Sequence, residues 1–305
     1  MAVKTKRVDE KCKKCASQAI LMCMCANIIL VIFKGTIGYL TGSLAVMADA
    51  VHSGADVMDA IVAMIATHIG DKPPDENHPY GHGKTEFMGG VFIGIVLFTG
   101  ASIISVNAIS HLLSHTQQPP PHFIAVAAAI VSIAVNHMLY RNASCAAKKV
   151  NSAAIEAEAL DNRGDCFSSM PVLFGVLGAQ FGFTKLDPLA ALVVGILVGR
   201  IGFELLSKNI HGLMDAPLHS EEIDRIKELA VAVPGVKGIG YVRTRGMGRH
   251  YSADMQIMLN SRTTVGKSNA IASEVKSVLR EKINHLEDIT VVCESYVKEQ
   301  AEQIY

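Results

Sequence analysis

Between positions 48 and 60 the chain reads ADAVHSGADVMDA, which sets Asp49, His52, Asp56 and Asp59 into a run that is otherwise apolar. At about 100° per residue on a helix, the four fall within roughly 80° of arc and share one face. A second set stands in EALDNRGDCFSS, where Asp161 and Asp165 are spaced i and i+4, again on one face. Carboxylates brought close together repel one another and take up protons, and a divalent cation removes that cost. The imidazole of His52 with the carboxylates of Asp56, Asp161 and Asp165 makes a tetrahedral, mostly oxygen ligand set. Such a set leans toward Fe2+ or Mn2+, whereas more nitrogen or sulfur favours Zn2+, which nonetheless accepts His and carboxylate. A buried hydrogen-bond network that fixes helix packing is the plainer account of a lone acid, and it loses weight when four ligand-type residues are involved.

The elements that must position these groups are membrane helices. Half of the 305 residues are hydrophobic and only 18% are charged, below the quarter typical of soluble domains. A bilayer core of about 30 Å needs roughly 20 apolar residues of helix. Six stretches qualify, at approximately 16–40, 44–68, 87–112, 122–140, 154–180 and 186–206. The first is longer than a signal h-region and has no cleavage site behind it, so it is expected to be retained. Six spans put both termini on one side of the membrane. Lys4, Lys6, Arg7, Lys11, Lys13 and Lys14 precede span 1, Lys72 and Lys84 follow span 2, Arg141, Lys148 and Lys149 follow span 4, and Lys208 follows span 6. The opposite loops TGS, SHTQQPPPH and FGFTKLDP hold a single Lys, so both termini are expected in the cytoplasm.

Depth ties the two acidic runs together. Counted at 1.5 Å per residue from the outer surface, His52 and Asp56 lie roughly 12 and 18 Å deep. Span 5 runs the other way and puts Asp165 and Asp161 roughly 10 and 17 Å deep. The pairs can therefore face each other and form one four-ligand site. A charge at mid-bilayer costs several kcal/mol by most estimates, so neither face is expected to meet lipid.

Other motifs carry less. DENHPYGHGKTE holds Asp75, His78 and His82 within eight residues of a cytoplasmic loop stiffened by Pro73, Pro74 and Pro79. It reads either as a second metal site or as a solvated polar turn. GKT at 83–85 and GKS at 266–268 mimic a phosphate loop, but His78 and Ser261 stand where its first Gly belongs, which excludes one. The absence of H-E-x-x-H argues against an intramembrane metalloprotease. CKKC at 12–15 is one C-x-x-C pair, short of the four ligands a structural zinc site needs, and the seven Cys speak against disulfides. Zero net charge gives no field that would gather nucleic acid. Gly90/Gly94, Gly178/Gly182 and Gly195/Gly199 permit close helix contact, and Arg200 and Glu204 are placed to pair with each other in span 6. The tail reads α-β-β-α-β, with Ser220 expected to cap its first helix. It is a small core that gains from dimerisation.

GSLAVMADAVHSGAD, DENHPYGHGKTE and LDNRGD, taken together, resemble the cation diffusion facilitators. The resemblance implies an α-helical membrane protein of six spans with a C-terminal α+β, metallochaperone-like cytoplasmic domain. It divides the chain into a tail at 1–15, a transport domain at 16–208 and a cytoplasmic domain at 209–305. It further implies a dimeric divalent metal/proton antiporter that is not an enzyme and uses no organic cofactor. His52, Asp56, Asp161 and Asp165 would be the transport site, Asp75, His78 and His82 a loop site, and Lys84 with Asp215 an interlock tying the helices to the dimer interface. Members studied with zinc carry His where Asp161 stands, which turns the expectation from zinc. In the tail, Gly240, Gln256 and Cys293 occupy positions where ligands are expected, leaving Asp254 as a weak candidate. CKKC, IFKGTIGYLTGS, ALDNRGD and VGRIGFELLSKNIHGLMD look closest to members implicated in moving iron into magnetosomes. Those members work beside a sister protein, so the expected states are a homodimer or a heterodimer, in a bacterial inner or magnetosome membrane.

Overall fold

The computed structural model describes residues 10–114, 120–150 and 153–296, with side chains from 22 to 147 and from 155 onward within those limits. The side chains of CKKC lie outside the described residues. Six long helices come first: α1 (Glu10–Thr41), α2 (Leu44–Gly70), α3 (Thr85–Leu113), α4 (Ile124–Val150), α5 (Ala153–Gln180) and α6 (Leu186–Leu213). Five of them contain an apolar stretch long enough to cross a membrane. The exception, α5, has the length, but Glu156, Glu158, Asp161, Arg163 and Asp165 crowd its first half.

The chain forms two compact units, Met1–Ile61 with Phe92–Leu206, and Val62–Val91 with Ser207–Tyr305. In the first, helices approach closely at several glycines. A Cβ at Gly94 would come within 2.9 Å of the Leu206 amide nitrogen, and one at Gly202 within 2.9 Å of the Phe98 amide nitrogen. In a bilayer such contact replaces the hydrophobic effect as the force between helices. The turn between α1 and α2 needs Gly42 at φ +68°. Ser43 there donates to Asp187 Oδ1 (2.6 Å) and accepts from the Val46 amide (3.2 Å), while the Leu44 amide donates to Asp187 Oδ2 (2.9 Å). A carboxylate from α6 thus joins Ser43 in satisfying the N-terminus of α2.

The second unit contains the ends of α2 and α3, the loop between them and the tail. The tail is α7 (Ser220–Val231), β1 (Val236–Met247), β2 (His250–Leu259), α8 (Val265–Lys282) and β3 (Leu286–Ser295). β2 is central, antiparallel to β1 and parallel to β3. The parallel pair requires a crossover, which α8 supplies. Ile226, Val233, Met255, Ile257, Val275, Leu279 and Ile289 meet in the core. Ser220 corrects one expectation. It is the first helical residue, the N-cap is His219, and no side chain caps it. The acids Glu221 and Glu222 in the first turn complement the helix dipole instead. Thr264, by contrast, caps α8 through the Lys267 amide.

Candidate metal centres

Three of the four intramembrane candidates converge. His52 Nδ1 stands 3.9 Å from Asp56 Oδ2, and His52 Nε2 stands 3.7 Å from Asp165 Oδ1. The i, i+4 spacing on α2 sets the first distance, and α5 supplies the third candidate, Asp165. One donor atom from each residue fits within 4.8 Å of the others, as an ion bridging them requires. The His52 and Asp165 side chains are largely enclosed, at 14% and 16% exposure, while Asp56 is 44% exposed. Asp161 is exposed and stands outside this cluster, as does Asp59. The remaining acid on the α2 face is diverted. Asp49 is buried and pairs with Lys34 of α1 at 2.9 Å.

Lys34 was not singled out from the sequence, although it is the one charged residue between positions 16 and 41. Its ammonium also donates to Ser53 Oγ at 2.9 Å. Asp49 in turn accepts from Ser169 Oγ of α5 at 3.0 and 3.1 Å, and Ser169 lies 3.4 Å from Ser132 of α4. A lone Lys in an apolar span was the available signal, because a charge there needs a partner.

The loop set forms a second cluster. Asp75 Oδ1 lies 3.3 Å from His78 Nδ1, Asp75 Oδ2 lies 3.3 Å from His82 Nε2, and the two rings are 4.5 Å apart. The His78 amide donates to Asp75 (2.7 Å), as does the Asn77 amide (3.0 Å). The His78 bond is the main reason the Asp75 carboxyl titrates below its usual range. His82 Nδ1 is buried with no hydrogen-bond partner among the described residues. These are the two clusters of three or more ligand-type side chains among the described residues.

The tail grips the loop. At the tip of the β1–β2 hairpin, Gly248 takes φ +72° and lies close to the Gly83 carbonyl. Arg249 reaches Glu86 at 3.4 Å and Asp71 at 3.8 Å, bracketing both ends of the loop, and Arg245 lies over the Tyr80 ring. Lys84 Nζ stands 2.8 Å from Asp215 Oδ1 and donates to the Leu213 carbonyl at 3.4 Å. Asp254 is 3.5 Å from Arg245 and belongs to neither cluster. Gln256 bonds Glu294, and burial raises the Cys293 thiol. Arg200 and Glu204 pair at 2.8 Å.

Membrane helices carrying a cation-ligand cluster, followed by a small α+β domain, define a metal transporter. Residues 20–214 match the cation efflux transmembrane domain and residues 218–296 the cation efflux cytoplasmic domain, a dimerisation module, so the chain belongs to the cation efflux family of divalent metal transporters. Magnetosome protein MamB of Paramagnetospirillum magneticum is 36% identical over 92% of this chain and 94% of its own. Magnetosome protein MamM of Magnetospirillum gryphiswaldense is 33% identical over 93% of this chain and 90% of its own. Manganese efflux system protein MneP of Bacillus subtilis is 32% identical over 92% of this chain and 96% of its own.

Proposed function

We propose that this chain is a divalent metal/proton antiporter that carries Fe2+ from the cytoplasm into the magnetosome lumen. The observation that carries the reading is the convergence of His52, Asp56 and Asp165 between α2 and α5. Two carboxylates and one imidazole favour Fe2+ or Mn2+ over Zn2+, the motif resemblance favours iron, and the likeness to the magnetosome protein MamB favours the magnetosome membrane. Asp161 is the fourth ligand of the same site, drawn in when the cation binds. The cation displaces protons from these groups, and His52 is the exchange group best suited to neutral pH, which couples the two flows. Residues 16–208 are the transport domain and 209–305 the cytoplasmic dimerisation domain. Asp75, His78 and His82 form a loop site that loads from the cytoplasm. Lys84 and Asp215 are the interlock that ties the helices to the dimer interface. The Lys and Arg distribution supports cytoplasmic termini, and the working unit is a homodimer or a heterodimer with a MamM-like sister.

A second reading, Mn2+ efflux, is favoured by the likeness to MneP. Flux of Fe2+, Mn2+ and Zn2+ into proteoliposomes, with a pH dye on the far side, separates these readings. Fe2+ flux matched by counterflow of protons supports the proposal. Mn2+ or Zn2+ flux without Fe2+ shifts the cargo. Flux indifferent to the proton gradient means a channel, and no flux of any metal means a scaffold that recruits partners through the tail.

A further inference from the structure

The Lys34 network has no place in the mechanism above. Lys34, Asp49, Ser53, Ser132 and Ser169 are each at most 7% exposed, and they join α1, α2, α4 and α5. Asp49 lies on nearly the same α2 face as Asp56, and His52 follows it by three residues, a rise of about 4.5 Å. Without Lys34, a third carboxylate would stand at the edge of the His52, Asp56 and Asp165 cluster. Lys34 reaches Asp49 because α1 passes tightly over α2 at Gly38, where a Cβ would meet the Met47 amide nitrogen at 3.0 Å.

The geometry points to Lys34 as a positioning and specificity residue: it holds Asp49 out of the ligand set and cancels its charge, so the assembled cluster first meets a divalent cation with two carboxylates, and Asp161 joins only afterwards. The inference rests on the reading of His52, Asp56 and Asp165 as the transport site. Two carboxylates balance a divalent ion. An Asp49 carboxylate held permanently beside them and uncancelled, unlike Asp161, which moves in and out with the ion, would retain the ion when it should leave, and an uncancelled ammonium would repel it on entry. Both Lys34 and Asp49 lie close enough to Asp165 to interact with it electrostatically. Ser53 and Ser169 complete the clamp by fixing the two ends of the pair to α2 and α5.

A purely structural clamp and a charge-setting clamp differ in sign. If the pair only held helices together, breaking it from either side would weaken metal binding. If it sets charge, the two single variants move in opposite directions. Unit charges about 10 Å apart at the effective dielectric of protein sites change affinity by about tenfold or more. The test uses the full-length dimer and Mn2+ as probe, with equilibrium binding in detergent and flux in proteoliposomes. Lys34→Met is expected to tighten Mn2+ binding about tenfold and lower kcat, because release slows. Asp49→Asn is expected to weaken binding and raise KM about tenfold. The double variant, neutral and similar in volume, should return to within about threefold of wild type. Should Lys34→Met fail to yield a dimer, the comparison of Asp49→Asn with the double variant decides: rescue by the second substitution supports the inference, and no rescue overturns it. Weakened binding in both single variants, with no recovery in the double, also overturns it. Wild-type protein that binds no Mn2+, Fe2+ or Zn2+ at the intramembrane cluster sinks the transport-site reading itself, a result distinct from these.

Discussion

Replacing Asp215 by Ala removes two things, and their sizes can be separated. The first is the 2.8 Å contact with Lys84. Both side chains are more than a third exposed, at 37% and 48%, so solvent screens the attraction and the pair is expected to contribute about 0.5 kcal/mol. The second is backbone conformation. Asp215 has φ +60°, a left-handed geometry that Asp and Asn tolerate but that costs an ordinary L-residue about 1–2 kcal/mol. Asp215→Ala is therefore expected to cost about 1.5–2.5 kcal/mol, Asp215→Asn only about 0.5, and Asp215→Gly no more than Asp215→Asn. The exchange Lys84→Asp with Asp215→Lys restores the charges but puts Lys in the left-handed turn, so it should recover only part of the loss. Thermal unfolding of the purified dimer, cross-linking and metal flux on these variants, with a Lys84→Met and Asp215→Asn double-mutant cycle, make the measurement. Metal stoichiometry at the intramembrane cluster should stay unchanged throughout. An additive cycle refutes the direct pair, and an Asn variant as damaged as the Ala variant refutes the backbone argument.

Asp165→Asn should abolish metal binding at the intramembrane cluster, while Asp161→Asn, which removes a ligand recruited only after the ion docks on the other three, should weaken binding without abolishing it; equal loss in both, read by equilibrium binding, would mean that Asp161 is needed for the ion to dock at all. In the loop, the depressed Asp75 titration means its ionised form, and the stability it brings, persists at neutral pH and is lost only below the usual carboxylate range. His82→Asn should weaken metal binding at the loop, read by equilibrium titration at neutral pH, and Asp75→Glu should largely retain it. Gly83→Ala would drive a Cβ into the Met247 carbonyl, at a cost of about 1–3 kcal/mol, seen as faster proteolysis of loop 71–84. Unchanged cleavage would mean the hairpin does not hold the loop.

Much of the protein was legible in the sequence because membrane and metal both impose simple rules. A helix that must cross about 30 Å of hydrocarbon announces itself by length and apolarity, and ligands at i and i+4 must share a face. Those rules located α1 to α6 and singled out His52, Asp56, Asp161 and Asp165, while three ligand-type side chains within eight residues marked the Asp75, His78 and His82 loop. The tail's α-β-β-α-β order followed from alternating periodicity and the turn glycines. The sequence could not decide which of several acids on one face joins the candidate ligand cluster. Asp49 and Asp56 are nearly equivalent by helical phase, and α1 separates them by bringing Lys34 to one and not the other. Asp161 shares a face with Asp165, yet it stands outside the cluster. Ser220 lost its capping role because the chain enters α7 one residue earlier, at His219. Arg249's bracket on Asp71 and Glu86 joins positions more than 160 apart in the chain. Spacing along one helix is local geometry and can be read from one dimension. Which charge meets which across helices depends on crossing angles and close approaches set by packing, and only the folded chain fixes those.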